Sequence, residues 1–267
     1  MSARLPAFEL VRQAAASSGQ GAGGLVLLHG FLGSPATWRE VVSALPGHLP
    51  VALAWLPGHG PAPWTSPGDF IQTADAIADA IPFAARVWIV GYSLGGRLAL
   101  TMALRRPDRI AGAVLVGAHP GLRDERERRA RMERDALQAE RLVVGGLPAF
   151  VAAWEALPLF ASQAALPEAV RAEQRAARCT HDPPSVADAL RRLGLGAMPP
   201  LWDALPSAVA RLRFVAGALD AKFVALAREA ADRTTKADAV VIPGAGHNVA
   251  LEAPLALAQT ITEVMAR

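Results

Sequence analysis

The stretch Arg86-Val87-Trp88-Ile89-Val90-Gly91-Tyr92-Ser93-Leu94-Gly95-Gly96-Arg97-Leu98-Ala99-Leu100 decides the fold. Residues 87–90 read as a buried strand, and the residues after Gly96 as a helix. Between them lies Gly-x-Ser-x-Gly, a turn tight enough to lift the Ser93 hydroxyl clear of the backbone. Gly91 and Gly95 leave room for the close approach of strand and helix. The helix aims free N–H groups and the positive end of its dipole at whatever reacts with Ser93. The stretch is a nucleophile elbow.

Outward from the elbow, short apolar runs alternate with longer amphipathic ones, the pattern of an α/β fold with a mostly parallel central sheet flanked by helices. Strands are expected over 25–28, 51–54, 87–90, 110–116, 212–216 and 239–242. Helices are expected over 37–45, 70–81, 93–105, 223–233 and 254–264. Phe8-Glu9-Leu10-Val11-Arg12 fits an antiparallel edge strand. The rhythm breaks after His119, where about ninety residues separate two strands although a crossover needs far fewer. Residues 119–207 therefore read as a helical cap inserted between two parts of one core, 1–118 and 208–267. An insertion after the strand ending at Val116 leaves from the carboxyl edge of the sheet and roofs Ser93. Within it, Arg123 to Arg141 alternates Arg with Glu and Asp, which reads as a solvated helix with i,i+4 pairs. Arg233 is likewise expected to be solvated.

The chain of 267 residues is long enough to bury a substantial core in one domain. Its formal net charge is +3, with lysine only at 222 and 236. Arginine with almost no lysine, in a chain rich in alanine and proline, reads as composition bias. No basic stripe with interleaved aromatics points to nucleic acid as a partner. No apolar run has the length of a bilayer and the first residues lack an apolar leader, so a cytoplasmic location without membrane insertion is expected. A lone Cys179 excludes an internal disulfide and a Cys-based zinc site. With no phosphate loop and no metal-ligand spacing, neither metal nor cofactor is expected.

A serine hydroxyl needs a base and an orienting carboxylate before it reacts at neutral pH. Of the six histidines, His247 lies in Gly244-Ala245-Gly246-His247-Asn248, past an expected strand, where its ring overhangs the sheet edge. Asp220 ends Phe214-Val215-Ala216-Gly217-Ala218-Leu219-Asp220, again just past a strand. It fits the orienting carboxylate, a helix N-cap, or both. His48 and His181 sit in proline-rich, irregular contexts and read as surface residues. His29, in His29-Gly30-Phe31-Leu32-Gly33, and His59, in Pro57-Gly58-His59-Gly60, read as loop braces. An oxyanion hole takes two backbone N–H groups, which Leu94 and Phe31 are placed to supply.

These motifs together, with the chain order Ser, Asp, His, resemble the α/β-hydrolase superfamily over nearly the whole chain. A narrower match runs through Gly91 to Arg97, His119-Pro120-Gly121-Leu122, Trp154 before Leu157-Pro158-Leu159-Phe160, and Gly217 to Phe223. It resembles the 2-succinyl-6-hydroxy-2,4-cyclohexadiene-1-carboxylate synthase family of menaquinone biosynthesis. The resemblance implies a lyase that eliminates pyruvate from a tricarboxylate, a polycarboxylate substrate, with Ser93 as base. It implies carboxylate-binding roles for Arg97, Arg131 and Arg178, and pocket roles for Tyr92 and Trp154. Arg128, Arg134 and Arg175 are alternatives for the two cap arginines. Pro183-Pro184-Ser185 and residues 194–200 do not match the family pattern. A carboxylesterase or C–C bond hydrolase with a covalent acyl-serine would use the same triad. A non-catalytic binding protein is disfavoured because all three triad positions are filled.

Overall fold

The computed structural model describes residues 7–12, 23–63 and 68–266. Its sheet has seven strands: β1 (Ala7–Arg12), β2 (Leu25–Leu28), β3 (Val51–Trp55), β4 (Val87–Tyr92), β5 (Ile110–Val116), β6 (Arg211–Gly217) and β7 (Ala237–Ile242). They lie in the order β1-β3-β2-β4-β5-β6-β7. Only β1 runs antiparallel to its neighbour, as its edge position allows. The chain winds outward from β2 to β3, then returns to add β4 on the other side of β2. That reversal opens a crevice at the carboxyl ends of β2 and β4, the usual ligand position in open α/β sheets. Phe31 follows β2 and Ser93 follows β4, so the winding alone brings them together.

The inner strands read as unbroken apolar runs because both faces of the sheet are covered. Val26, Leu28, Ala52, Ala54, Val87 and Ile89 point to a core closed by α2 (Phe70–Asp79), α3 (Leu94–Arg105) and α8 (Ala221–Ala231). Their alternates Leu25, Leu27, Val51, Leu53, Val90 and Tyr92 point the other way, to α1 (Arg39–Ala44), α9 (Val249–Glu252) and α10 (Pro254–Met265). This division follows the two-residue period of a strand. One charge lies inside the expected run 212–216. Arg213 is buried, its Nε 2.8 Å from Asp238 Oδ1 on β7 and its Nη1 donating to the Thr260 carbonyl.

Helix starts follow their caps. Asp69 accepts from Gln72 N in a capping box that starts α2. Asp220 caps α8, so that helix begins at Ala221, two residues before the expected start. Ser93 has φ 51°, outside helical space, and α3 begins at Leu94. The expected helix 37–45 is divided into a 3-10 turn, Pro35–Trp38, followed by α1.

Between β5 and β6 lie α4 (Glu125–Gly145), α5 (Leu147–Glu155), α6 (Glu168–Arg178) and α7 (Pro183–Leu193). They carry an apolar cluster of their own, including Leu142, Leu147, Phe150, Val151, Val186 and Leu190, which reaches the core through Leu32. The expectation that 123–141 forms a wholly solvated helix needs correction. Arg129 does pair with Glu125 one turn back, but α4 buries Asp135, Ala139 and Leu142. Charge alternation alone does not reveal which face packs.

Candidate active site

The elbow has no room for side chains at its two glycines. A Cβ on Gly91 would lie 2.2 Å from the Gly95 carbonyl oxygen, and one on Gly95 would lie 2.2 Å from that of Leu28. Close backbone approach holds Ser93 at its positive φ, a conformation L-residues seldom adopt. His247 Nε2 lies 3.3 Å from Ser93 Oγ, and His247 Nδ1 lies 2.8 Å from Asp220 Oδ2. The imidazole is 2% exposed and packs against Phe223, with ring centroids 4.5 Å apart. Asp220 performs both roles open to it, because its other oxygen accepts from Phe223 N and caps α8.

Sequence reading missed what holds the His247 loop. Glu252 Oε2 accepts from Gly246 N at 2.7 Å, and Oε1 accepts from Asn248 N at 3.1 Å. One carboxylate thus clasps the backbone on both sides of His247. No local pattern announces this, since Glu252 reads as the polar end of a short helix.

Ser93 and His247 open into a cavity of about 370 Å³ lined by Phe31, Leu94, Tyr92, Arg97, Arg131, Trp154 and Arg178. Every residue expected in the site lines it except Asp220, which stands behind His247. Leu94 opens α3, so its N–H belongs to the uncapped first turn. Phe31 precedes Leu32, whose φ of 58° turns the loop after β2. Trp154 packs on Phe31, with centroids 5.0 Å apart, and joins the cap to the loop after β2.

The arginines differ in how they are compensated. Arg131 Nε lies 2.9 Å from Asp135, and Arg178 Nη1 lies 2.9 Å from Glu155. Arg97 is 9% exposed and its Nη1 has no hydrogen-bond partner. Burial, and then the nearby Arg131 charge, push its pKa down to about 9. Such a cation calls for an anion. Arg128 and Arg134 project from α4 without lining the cavity, and Arg175 binds the outer side of Glu155. Arg123 and Arg233 are exposed, as expected, and each also lies over the Trp202 ring, 3.7 and 5.9 Å from its centroid.

His48 is exposed, but the surface reading of His181 is wrong. Leu56 N donates to His29 Nε2, Leu32 N to His59 Nε2, and Gly60 N to His181 Nδ1. Three buried rings thus serve as acceptors for neighbouring loops, and each must be neutral to do so. Burial pushes His29 down to about 3 and also lowers His59 and His181.

Residues 25–260 match the family model described as alpha/beta hydrolase family. A 2-succinyl-6-hydroxy-2,4-cyclohexadiene-1-carboxylate synthase from Enterobacter sp. (strain 638) is 36% identical over 90% of this chain and 91% of its own. The chain belongs to the 2-succinyl-6-hydroxy-2,4-cyclohexadiene-1-carboxylate synthase family. The synthase of the same name from Escherichia coli O1:K1 / APEC is 33% identical over 90% of this chain and 93% of its own. Among solved structures, MenH from S. aureus superposes with a TM-score of 0.88 at 28% identity, covering 98% of this chain and 97% of that one. A thermophilic esterase from Thermogutta terrifontis shares the fold, with a TM-score of 0.82 at 24% identity over 98% of this chain and 93% of its own. Among the described residues of this synthase-family chain, no helix is long and apolar enough to cross a membrane, and no cluster of metal-ligating side chains occurs.

Proposed function

We propose that this protein is a lyase of menaquinone biosynthesis. It eliminates pyruvate from 2-succinyl-5-enolpyruvyl-6-hydroxy-3-cyclohexene-1-carboxylate to give 2-succinyl-6-hydroxy-2,4-cyclohexadiene-1-carboxylate. The observation that carries this reading is buried Arg97, whose Nη1 has no hydrogen-bond partner, in a cavity shared with Arg131, Arg178 and the Ser93–His247–Asp220 chain. Arginine suits carboxylates because its planar fork binds two oxygens at once and stays charged when desolvated.

His247, held by Asp220, draws the hydroxyl proton of Ser93 and makes Ser93 Oγ basic enough to take a ring proton. The C2–H electron pair becomes the C2=C3 double bond, the existing C3=C4 pair shifts to C4=C5, and the C5–O bond breaks to release the enolate of pyruvate, which takes a proton at its methylene carbon to give pyruvate. Negative charge built up on the way faces the N–H groups of Phe31 and Leu94, where fixed donors need no reorganisation. The 3.3 Å separation of Ser93 and His247 is in the range that tightens on substrate binding. In a hydrolase acting through an acyl-serine, a neutral ester would leave Arg97 Nη1 buried without a charged acceptor, a costly arrangement.

Pyruvate release from the cyclohexene substrate, followed by coupled reduction to lactate, tests the reading. Wild-type protein is expected to turn over and Ser93→Ala to lose most activity while remaining folded. Intact-mass spectrometry during turnover is expected to show no adduct. Efficient hydrolysis of simple esters with a covalent adduct on Ser93 would replace the lyase with a hydrolase.

A further inference from the structure

We infer that His119 is a further substrate-binding residue, a neutral hydrogen-bond donor to an anionic oxygen held in the Arg97–Arg131 part of the cavity. The inference rests on the polycarboxylate reading above and adds a contact to it. His119 lies three residues past the end of β5, where the chain leaves the core for the cap, and it lines the cavity with Ser93. Its ring is fixed by its surroundings. Gly121 N donates to His119 Nδ1 at 3.0 Å, and Phe223 packs edge-on against the ring. The backbone beyond is pinned in turn, with Leu201 N donating to the Pro120 carbonyl and Trp202 Nε1 to that of Gly121.

With Nδ1 occupied as an acceptor, the single proton of the neutral ring must sit on Nε2. No hydrogen-bond acceptor for Nε2 occurs among the described residues. The charges that act on the ring are those of Lys222, Arg97, Arg131 and Arg123, of which Arg97 and Arg131 line the same cavity. Burial first, and then these charges, push His119 down to about 4, so the ring remains an uncharged donor through the physiological range. An unpaired N–H on a ring that lines the cavity with Arg97 and Arg131 suits an anionic oxygen as its partner. A neutral donor there adds directionality without a further positive charge beside Arg97.

Two substitutions separate this role from simple loop bracing. His119→Asn keeps an acceptor near the Nδ1 position for Gly121 N and removes the Nε2 donor. His119→Gln restores an N–H near the Nε2 position and sacrifices the brace. The measurements are KM and kcat for pyruvate release, the Kd for succinate as a non-reacting dicarboxylate probe, and Tm. His119→Asn is expected to keep its Tm within a few degrees and its kcat within about twofold. Its KM and succinate Kd are expected to rise about tenfold, as for one lost hydrogen bond to a charged group. His119→Gln should recover most of that loss. A bracing role predicts the reverse ranking, with Asn like wild type and Gln impaired, and that ranking overturns the inference. Imidazole nitrogen NMR of the wild-type protein gives an independent reading. Succinate should move the Nε2–H signal downfield and leave the tautomer unchanged, whereas an unmoved signal at saturating succinate also overturns the inference. Because succinate binding needs no turnover, failure of pyruvate release would remove the proposed reaction without deciding the fate of this contact.

Discussion

At the scale of single residues, Asp220 has two duties that mutation can pull apart. Asp220→Asn keeps an oxygen to cap α8 and loses the charge that orients His247. Activity should therefore fall by orders of magnitude with little change in Tm. Asp220→Ala loses both, and should additionally cost about 1 kcal/mol of stability for the missing cap. Equal Tm values for the two variants in thermal melts would show that the cap contributes nothing. Arg97 gives the sharpest test of carboxylate recognition. Arg97→Ala should raise the barrier for kcat/KM by about 1.5–3 kcal/mol, or roughly 10- to 150-fold. Arg97→Lys should recover only part, because a point charge lacks the bidentate fork. Since Arg123 and Arg233 stack on Trp202, the control belongs at exposed Arg126, where alanine should leave kinetics unchanged.

At the scale of elements, the loop between β7 and α9 carries His247 and owes its shape to Glu252. Glu252→Ala would leave the N–H groups of Gly246 and Asn248 without their acceptor, at a cost of about 1–3 kcal/mol each if they stay buried. The expected outcome is a lower kcat with a smaller change in KM, since the loop holds His247, which activates Ser93, and not the substrate. Glu252→Gln retains one oxygen acceptor and should fall between alanine and wild type. A KM effect with unchanged kcat in steady-state assays would contradict the clasp. The cap elements meet the core through aromatic contacts, with Trp154 on Phe31 and Phe160 beside His247. That packing places Arg131 and Arg178 across the cavity from Ser93, so elements far apart in sequence share one site.

At the scale of the whole molecule, buried neutral histidines make stability depend on pH. His29, His59, His119 and His181 are all held below the ordinary histidine value, His119 near 4 and His29 near 3. Below about pH 6.5 the unfolded chain binds protons at these positions that the native state refuses, so stability rises with pH in that window. It is fully present above pH 6.5 and is lost as pH falls toward 4 and 3. Each ring contributes a slope of up to about 1.4 kcal/mol per pH unit. Urea unfolding between pH 7.5 and 5 should show the midpoint dropping steeply, and His59→Gln should reduce the slope by up to one proton. A flat profile would mean that these rings protonate in the folded state without cost.

What the sequence determined was local or periodic. The elbow is legible because Gly91, Ser93 and Gly95 are the residues a strained strand-to-helix turn requires. The strands are legible because a sheet covered on both faces demands continuous apolar runs. His247 and Asp220 could be nominated because residues just past such strands gather at one sheet edge. Tertiary structure decided the rest, because it depends on which distant groups meet. His181 looks exposed in its proline-rich context, yet it lies buried as the acceptor for Gly60 N. Arg131 and Arg178 are indistinguishable in sequence from Arg128 and Arg175, and only the packed face of α4 and the inner side of Glu155 separate them. Glu252 holds, and His119 is held by, backbone amides brought to them by loop geometry, and no composition or period encodes that meeting. A residue's own chemistry is written in the chain, whereas its partner is chosen by the fold.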